Sequence, residues 1–275
     1  MNKKEKRFTK FCVVIPIYNE NPTIIEEFSL NRLSNVIGGK YDIYYMKAKG
    51  FNSKPYQKIL KGNDIEFEAK FFESAATYSQ LLISQDFYLS FKDYDYMLIY
   101  QTDCYLFENK ISEWCNKGYD YVGAPIIARN PDWSLAVKGI PQVGNGGLSL
   151  RKVSTFIELT NPKGEFMTYY NITDEQLKEV KFEDVWFCDF VWRKYEFNIP
   201  NWMEASRFAL DMNVRNWYND LKIDFLPMGC HAWPKNIRDW KDKLEGMNDD
   251  IVNYCEDKYK DLFKLYYEQT DANSK

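Results

Sequence analysis

The sequence is poor in the residues that form zinc sites and flexible linkers. Only 1 of its 275 residues is histidine, and its 6 cysteines show no CxxC pair or other close spacing of the zinc-site kind. We therefore expect the cysteines to be reduced and mostly buried. No stretch rich in glycine, serine and proline divides the chain, so its composition marks no boundary between domains.

Long apolar runs and an excess of positive charge are also missing. No stretch approaches the ~20 apolar residues of a membrane-spanning helix. The basic start, MNKKEKRFTKF, is followed by an apolar run that lasts only from Phe11 to Ile17 and includes Pro16, which predicts a strand rather than the core of a signal peptide. The net charge of -4 argues against a general nucleic-acid binder. We expect a cytoplasmic protein with no nucleic-acid partner and no transmembrane segment, and we leave peripheral contact with a membrane open.

The first 125 residues alternate between strand patterns and helix patterns five times. The predicted strands are short apolar or alternating runs at residues 11–18, 41–46, 65–72, 96–100 and 119–124. This alternation favours an α/β fold, with a mostly parallel sheet covered by helices on both faces. In open sheets of this kind, ligands bind at the carboxyl ends of the strands.

The connecting segments carry weaker signals. The lysine-rich stretch 47–62 predicts a solvated loop more readily than a phosphate site. Ser74 is a suitable N-cap for a helix that we expect to run to about residue 91. Residues 223–228 predict a short strand, and the charged chain after residue 236 predicts a helical extension.

The most informative stretch is YDYMLIYQTDCYLF, at residues 94–107. Its apolar part, at 96–100, predicts a buried strand that ends at Gln101, Thr102 and Asp103. The carboxylate of Asp103 is thereby delivered to the carboxyl end of the predicted sheet, where a ligand would bind.

Three later segments carry residues suited to chemistry at that edge. The glycines of GNGG, at 144–147, let a ligand approach bare backbone, although such a cluster alone is more often a turn. Glu183 and Asp184 begin a predicted amphipathic helix, where helix capping explains them as well as catalysis does. His231 is the sole histidine, and a lone histidine is more often packed than bound to a ligand. Their role depends on whether they meet Asp103.

Taken in order, these segments resemble the motifs of a GT-A glycosyltransferase. The sequence is most similar to a family of bacterial glycosyltransferase-like domains long catalogued as of unknown function, with the motifs FQTD, DYVGAP, GNGGLSLR, ED and G-x-H. The matching segments are YQTD at 100–103, DYVGAP at 120–125, GNGGLSLR at 144–151, ED at 183–184 and GCH at 229–231. The resemblance spans about residues 11–233. It implies a GT-A-like domain over residues 1–235, with a C-terminal helical extension over 236–275 packed on the same domain.

The resemblance also implies a role for each motif. The fold would be GT-A-like, a mostly parallel sheet flanked by helices. Binding of the nucleotide or donor sugar would fall to Ile17, Tyr18, Asn19, Glu20, Tyr78, Ser79, Gln101, Asp103, Asn145, Gly146 and Gly147. Asp184 would be the general base of an inverting transfer, and Glu183 would bind hydroxyls of the sugar or acceptor.

A divalent metal, Mn2+ or Mg2+, bound by Asp103 and His231 is a further implication. The Asp-x-Asp motif of GT-A enzymes is incomplete here, because Tyr105 stands where a second carboxylate would be. Hard divalent ions often keep several waters and bind phosphate oxygens, so one carboxylate can suffice. In the absence of a metal, a protonated His231 would hydrogen-bond the diphosphate directly. Both alternatives stay open.

Three functions are compatible with the sequence. The first is a glycosyltransferase that moves a sugar from a nucleotide-sugar donor, a UDP-sugar in our expectation, to a hydroxyl of a glycan or glycoprotein acceptor. The second is a catalytically silent GT-A-like module that binds sugar or a partner protein, which the incomplete metal motif supports. The third is a nucleotidyltransferase. That class would carry a glycine-rich basic loop after the first strand, and IYNENP offers none.

Overall fold

The computed structural model describes residues 9–126 and 142–264. The strands in these ranges are β1 (Phe11–Pro16), β2 (Asp42–Ala48), β3 (Asn63–Phe67), β4 (Tyr96–Tyr100), β5 (Tyr105–Leu106), β6 (Tyr121–Gly123), β7 (Pro125–Ile126), β8 (Gln142–Val143), β9 (Leu148–Lys152), β10 (Ala209–Leu210) and β11 (Gly229–Cys230).

The helices surround these strands, and many are only one or two turns long. They are α1 (Ile24–Ile37), α2 (Lys54–Gln57), α3 (Ala75–Leu82), α4 (Gln85–Leu89), α5 (Ile111–Asn116), α6 (Val153–Leu159), α7 (Glu165–Tyr169), α8 (Asp174–Lys178), α9 (Glu183–Val185), α10 (Trp202–Phe208), α11 (Val214–Asn219), α12 (Ile237–Trp240), α13 (Asp249–Lys258) and α14 (Lys260–Phe263). A π-helical segment, Trp186–Val191, continues α9, and 3₁₀ helices lie at Ala69–Phe72 and Trp233–Asn236. None of the helices in the described ranges has the length and apolar character needed to cross a lipid bilayer.

A six-stranded sheet in the order β3-β2-β1-β4-β9-β6 lies at the centre of the molecule. β3, β2, β1 and β4 run parallel to one another. β9 is antiparallel to both of its neighbours, so β6 runs in the same direction as β4. The predicted α/β fold with a mostly parallel sheet is confirmed.

The central strands are apolar along their whole length. β1 and β4 are buried at every position, as expected for strands covered by helices on both faces. Val13 and Ile15 of β1 lie in the core shared with α1 and α5. Cys12 and Val14 lie in the opposite core, shared with α3, α4 and α6. The two-residue period of the strand therefore supplies both cores.

Local sequence sets both ends of α1. The Oγ1 of Thr23 accepts the N–H of Glu26, and the carboxylate of Glu26 accepts the N–H of Thr23, which together form a capping box. Gly38 ends the helix with φ 58°, a left-handed conformation that suits glycine. The helix therefore begins directly after Thr23 and ends at Gly38.

A second sheet, in the order β10-β11-β5, adjoins the carboxyl end of β4. β5 follows the turn after β4 and pairs antiparallel with β11, with Cys230 opposite Tyr105. β10 pairs parallel with β11. This pairing places the residues that follow β10 and β11 next to the turn that contains Asp103.

Three predicted elements differ in the structure. The strand predicted over 65–72 stops at Phe67, because its ladder with β2 ends where β2 ends, at Ala48. The helix predicted over 74–91 is two helices, α3 and α4, which break at Ile83 and Ser84. Residues 223–228 form no strand, and the strand in this region, β11, begins only at Gly229.

Lys47 is also misplaced by the sequence pattern, which puts it in a solvated loop. It lies in β2 with its side chain buried, and its ammonium group is 3.1 Å from Asp64 and 2.8 Å from Glu66. Both carboxylates belong to the neighbouring strand β3, so register across the sheet supplies the counter-charges that a buried lysine requires.

Within the described residues, the predicted C-terminal extension contains the helices α12, α13 and α14, and its residues 265–275 lie outside the described ranges. Its buried side chains Ile251, Cys255 and Phe263 share a core with Ile25 of α1 and with Trp233. The extension therefore contacts the helix that follows the first strand. A domain boundary at residue 235 stays a prediction.

Candidate active site

The turn after β4 meets two segments from distant parts of the chain. The N–H of Gln101 donates to the carbonyl of Gly147 (2.9 Å), which ties the turn to the glycine-rich loop. Nε2 of His231 lies 3.2 Å from Oδ1 of Asp103 and 3.0 Å from Oε1 of Gln101. The structure thus brings together Asp103, the glycine-rich loop and the single histidine.

Asp211 holds the other side of the imidazole. Its Oδ1 is 3.2 Å from Nδ1 of His231, and its Oδ2 accepts a hydrogen bond from Nδ2 of Asn145 (2.9 Å). Asp211 is buried and directly follows β10, which pairs with the strand before His231. Sequence reasoning missed this residue. The available signal was a carboxylate after a short apolar run, as for Asp103.

Two carboxylates determine the charge of His231. Burial lowers the pKa of this imidazole, but Asp103 and Asp211 outweigh burial and raise it to about 10. Burial raises the pKa of Asp103, and His231 outweighs that effect, so the pKa of Asp103 falls below its ordinary value. Without a bound ion, the site is an imidazolium between two carboxylates at neutral pH.

Residues 146 and 147 must be glycine, because their backbone lies too close to Glu183 and His231 to leave room for a side chain. A Cβ atom on Gly147 would lie 2.2 Å from Nε2 of His231. A Cβ atom on Gly146 would lie 2.6 Å from Oε1 of Glu183. Only glycine lets the backbone approach these groups so closely.

Asp184, at the start of α9, is partly exposed. Its carboxylate accepts hydrogen bonds from the N–H of Gly146 (2.9 Å) and from its neighbour's N–H at Val185 (2.8 Å). Burial and the nearby charge of Glu183 raise its pKa to about 7, against the opposing effects of these N–H donors and Arg151. A carboxylate with this pKa suits a general base, because it both ionises and accepts protons near neutral pH.

Glu183 is buried, and both of its oxygens accept hydrogen bonds from the protein. Oε1 accepts from Nη2 of Arg151 (2.8 Å), and Oε2 accepts from the hydroxyl of Ser79 (3.2 Å). The side chain of Arg151 is fully buried and also donates to the hydroxyl of Tyr88 (3.0 Å). The structure therefore places Ser79 and Glu183 together in a buried network behind Asp184.

A cleft of about 440 Å³ opens beside Asp103. The predicted donor-binding residues that line it are Tyr18, Asn19, Tyr78, Gln101 and Asp103. Ile17 instead lies buried in the core. Glu20 is exposed to solvent and is not one of the described residues that line the cleft. The glycine-rich loop is connected to the cleft by the hydrogen bond from the N–H of Gln101 to the carbonyl of Gly147. Asp184 and Asn145 contact this loop by accepting hydrogen bonds from the N–H groups of Gly146 and Gly147.

Tyr78 presents an unsatisfied polar group at this cleft. Its hydroxyl is buried and has no hydrogen bond of normal geometry within the described ranges, although the side chains of Gln101 and Tyr18 lie close enough to affect it. A buried polar group without a partner costs about 1–3 kcal/mol, so a ligand atom or a water is expected to complete it. The ring of Tyr18 packs edge-on against Tyr78, with centroids 6.0 Å apart.

Glu26 joins the first loop to the Asp103 turn. Its carboxylate is buried and accepts hydrogen bonds from the amide of Asn19 (3.2 Å) and the hydroxyl of Thr102 (3.0 Å). The capping role of Glu26 is visible in the sequence, whereas its bridge to Thr102 depends on the fold and was missed. This bridge fixes two walls of the cleft relative to each other.

The residues present fit a divalent ion. Oδ1 of Asp103 and Nε2 of His231 are 3.2 Å apart, near the ~3 Å between adjacent ligands of an ion with bonds of ~2.1 Å. Cys104 lies in the same cluster. Its thiol donates to the carbonyl of Gly147, and burial raises its pKa well above the ordinary value, so it stays neutral. The fitting ligands are therefore Asp103 and His231.

Residues 63–231 match the sequence model of a family described as "Protein of unknown function (DUF5672)". The chain belongs to this family. The matched region runs from the first residue of β3 to His231 and includes Asp103, Asp184 and Asp211. No curated protein matches the chain.

Several solved glycosyltransferase structures align with this chain. Mouse xyloside xylosyltransferase 1, in its apo form, aligns over 81% of this chain and 97% of its own, with a TM-score of 0.52 and 10% identity. GlyE of Streptococcus pneumoniae TIGR4 aligns over 95% and 64%, with a TM-score of 0.49 and 14% identity. A glycosyltransferase involved in the glycosylation of the major capsid of PBCV-1 aligns over 90% and 98%, with a TM-score of 0.45 and 12% identity. The likeness to the xylosyltransferase, together with the sheet order, shows a GT-A-like fold.

Proposed function

We propose that the protein is a glycosyltransferase that moves a sugar from a nucleotide-sugar donor, in our expectation a UDP-sugar, to a hydroxyl of a glycan or glycoprotein. The observation that carries this proposal is the position of Asp184. This partly exposed carboxylate, with a pKa of about 7, is hydrogen-bonded to Gly146, whose neighbour Gly147 touches His231. The proposed base, Asp184, and the candidate diphosphate site at His231 therefore both lie against the glycine-rich loop.

Asp184 supplies the base in this proposal. In an inverting transfer, the acceptor oxygen forms a bond to the anomeric carbon as the bond from that carbon to the phosphate oxygen breaks. The proton of the acceptor hydroxyl passes to Asp184, and the nucleoside diphosphate leaves with the bonding electron pair. A positioned base of this kind contributes about 10²–10⁴ in rate.

Glu183 acts through Asp184. Because both of its oxygens already accept hydrogen bonds from Arg151 and Ser79, we propose that it positions the base and sets its pKa, in place of direct binding to hydroxyls. Burial is the largest cause of the raised pKa of Asp184, the charge of Glu183 raises it further, and Arg151 opposes both.

Asp103 and His231 face the leaving group. A Mn2+ or Mg2+ ion held by these two residues would neutralise charge that develops on the diphosphate. The chain itself contributes the orientation of the imidazole, which Asp211 and Gln101 contact on its two nitrogens. In a metal-free enzyme, the imidazolium of His231 would donate from Nε2 to a phosphate oxygen.

The cleft is the proposed donor site. The rings of Tyr18 and Tyr78 offer an aromatic wall for a nucleobase or ribose, and the free hydroxyl of Tyr78 offers a hydrogen bond. Asn19 lies on the same wall, and Ile17 and Glu20 would support the loop that carries it. The backbone at 145–147 would lie against the donor sugar.

The test of the proposal is a screen of nucleotide sugars, with released nucleotide as the signal and Mn2+ as a variable. Asp184→Asn is expected to abolish transfer while the nucleotide binds with unchanged affinity, because the residue is the base and not a nucleotide ligand. Asp189→Asn is the matched control. Asp189 lies in the π-helical segment that continues α9, and it forms an ion pair with Arg193. Retained turnover in Asp184→Asn would remove Asp184 from the base role.

One observation favours a catalytically silent sugar-binding or partner-binding module. Tyr105, in place of the second carboxylate of the Asp-x-Asp motif, is fully buried and stacks on Phe28 with centroids 5.7 Å apart. Calorimetry with UDP, with and without Mn2+, separates the two functions. Absence of nucleotide binding under both conditions would favour the silent module.

A further inference from the structure

The C-terminal extension reaches the proposed donor cleft. Lys258, at the end of α13, and the next residue, Tyr259, line the cleft together with Asp103 and Thr102. They come from a part of the chain beyond the region that matches the family, which ends at residue 231. No pattern in the sequence connects them with the motifs of the site.

The extension is held firmly at this position. Ile251 and Cys255 of α13 are buried in a core that also contains Ile25, and Ile25 itself lines the cleft. On the outer side, Arg238 donates two hydrogen bonds to Glu256, at 2.8 and 2.6 Å. The last turn of α13 is therefore packed against the wall of the cleft on one side and fastened to α12 on the other.

Tyr259 lies within electrostatic reach of the metal-site carboxylate. Burial and the charge of Asp103 raise the pKa of its hydroxyl to about 12. Tyr259 lines the same cleft as Asp103, and its phenol hydroxyl can donate a hydrogen bond to a ligand there. Its half-buried ring forms part of the cleft lining together with Tyr18 and Tyr78.

The charges around the cleft are unbalanced for an anionic ligand. The carboxylates on its described lining are Glu26, Glu73 and Asp103, whereas the cationic side chain on that lining is Lys258. Within the described ranges Lys258 makes no ion pair, and its ammonium group instead lies 5.6 Å from the ring centroids of Tyr254 and Tyr259. The charge of Lys235 acts on Asp103 from outside this lining, and Lys258 adds a second cation that a diphosphate could contact without breaking an ion pair in the described ranges.

We propose that Lys258 binds the phosphate groups of the donor's nucleoside diphosphate and that Tyr259 closes the cleft over them. This assignment rests on the proposed function and makes the C-terminal extension part of the donor site. Lysine recognises phosphate as a mobile point charge, so the interaction depends on the charge at residue 258 and not on its exact side-chain shape.

The experiment compares UDP with uridine by calorimetry, on the full chain in the presence of Mn2+. Lys258→Gln is expected to weaken UDP binding by about tenfold or more, the usual effect of losing a charged hydrogen bond, and to leave uridine binding unchanged. Lys258→Arg keeps the charge and is expected to bind UDP within about threefold of the wild type, because a charge-assisted bond is retained. Lys260→Gln is the matched control, since Lys260 is exposed and outside the described lining.

The possible results separate the two proposals. Equal UDP affinity in the wild type and Lys258→Gln overturns the role of Lys258, while UDP binding and transfer by the wild type still support the glycosyltransferase. Equal losses for UDP and uridine also overturn it, because they show a packing effect and not phosphate recognition. If the wild type binds neither UDP, GDP nor CDP, both proposals fail.

Discussion

Nδ1 of His231 lies 3.2 Å from Oδ1 of Asp211. This contact fixes the orientation of the imidazole, because Nδ1–H donates to the carboxylate and Nε2 is left facing Asp103 and Gln101. A carboxylate behind a metal-binding histidine orients the ring and makes it a stronger ligand. Asp211 thus brings a second carboxylate to a site whose Asp-x-Asp motif has only one.

Asp211→Asn is expected to weaken Mn2+ binding by about 10- to 100-fold, the usual range for loss of such a supporting carboxylate. The measurement is a Mn2+ titration followed by calorimetry or electron paramagnetic resonance. Asp220→Asn, an exposed carboxylate just after α11, is the control and should bind Mn2+ like the wild type. Unchanged affinity in Asp211→Asn would limit Asp211 to a packing role.

The parts of the site that sequence could predict are those carried by unbroken local signals. Asp103 follows a five-residue apolar strand, and the paired acids Glu183 and Asp184 stand at the start of a helix. Asp211 could not be found in this way, because its place beside His231 depends on the pairing of β10 and β11. Those strands are two residues long, which is too short for a periodic pattern.

The same distinction explains the fold. The central parallel strands β1 and β4 are continuous apolar runs and were predicted from them. The antiparallel direction of β9 could not be predicted from its own sequence, because it is set by the pairing of β9 with β4 in the folded sheet. The buried ion pair between Arg151 and Glu183 is a second example, since charged residues are assigned to the surface unless the partner is known.

The pKa of Asp184 predicts the pH dependence of transfer. Because the base must be ionised, kcat/KM is expected to fall below an apparent pKa of about 7. Glu183→Gln removes the negative charge that helps to raise this pKa and leaves Arg151 facing Asp184. The acid limb of the pH profile should therefore move to lower pH.

The measurement is kcat/KM between pH 5 and 9 for the wild type, Glu183→Gln and the control Glu179→Gln, which changes an exposed glutamate before the same helix. The control should keep the wild-type limb. A limb that stays in place in Glu183→Gln would show that Glu183 does not set the pKa of the base.

Asp184 should also reduce the stability of the fold above neutral pH. The folded chain holds the Asp184 proton up to a pKa of about 7, whereas the ordinary value is 3.8. Wild-type stability should therefore fall as pH rises from about 4 to about 7 and stay reduced above that range. Asn carries no charge, so Asp184→Asn should be more stable than the wild type at pH 8, by on the order of 1–3 kcal/mol.

Urea unfolding at pH 4, 6 and 8 measures this difference. The gain in free energy of unfolding should be near zero at pH 4 and largest at pH 8. Asp189→Asn, which alters a carboxylate paired with Arg193, should show no gain that increases with pH. If the difference in free energy of unfolding between Asp184→Asn and the wild type did not change with pH, the charge of Asp184 would not destabilise the folded chain.

Gly147→Ala tests whether the contact between the glycine-rich loop and His231 is required. The added Cβ would lie 2.2 Å from Nε2, so either the loop or the imidazole must move. Displacement of about 1 Å at a catalytic group typically costs about 10²-fold in rate, and we expect a loss of that size in kcat/KM with weaker Mn2+ binding. Gly50→Ala is the contrast, because Gly50 has φ 77° and no atom within 4 Å of a new Cβ.

The alanine at residue 50 should lower the free energy of unfolding by about 1 kcal/mol, through its left-handed backbone, and leave transfer and Mn2+ binding unchanged. The two variants therefore separate a general glycine effect from a steric effect in the site. If Gly147→Ala retained full kcat/KM and Mn2+ affinity, His231 could not need the position that the structure gives it, and its proposed role at the leaving group would be wrong.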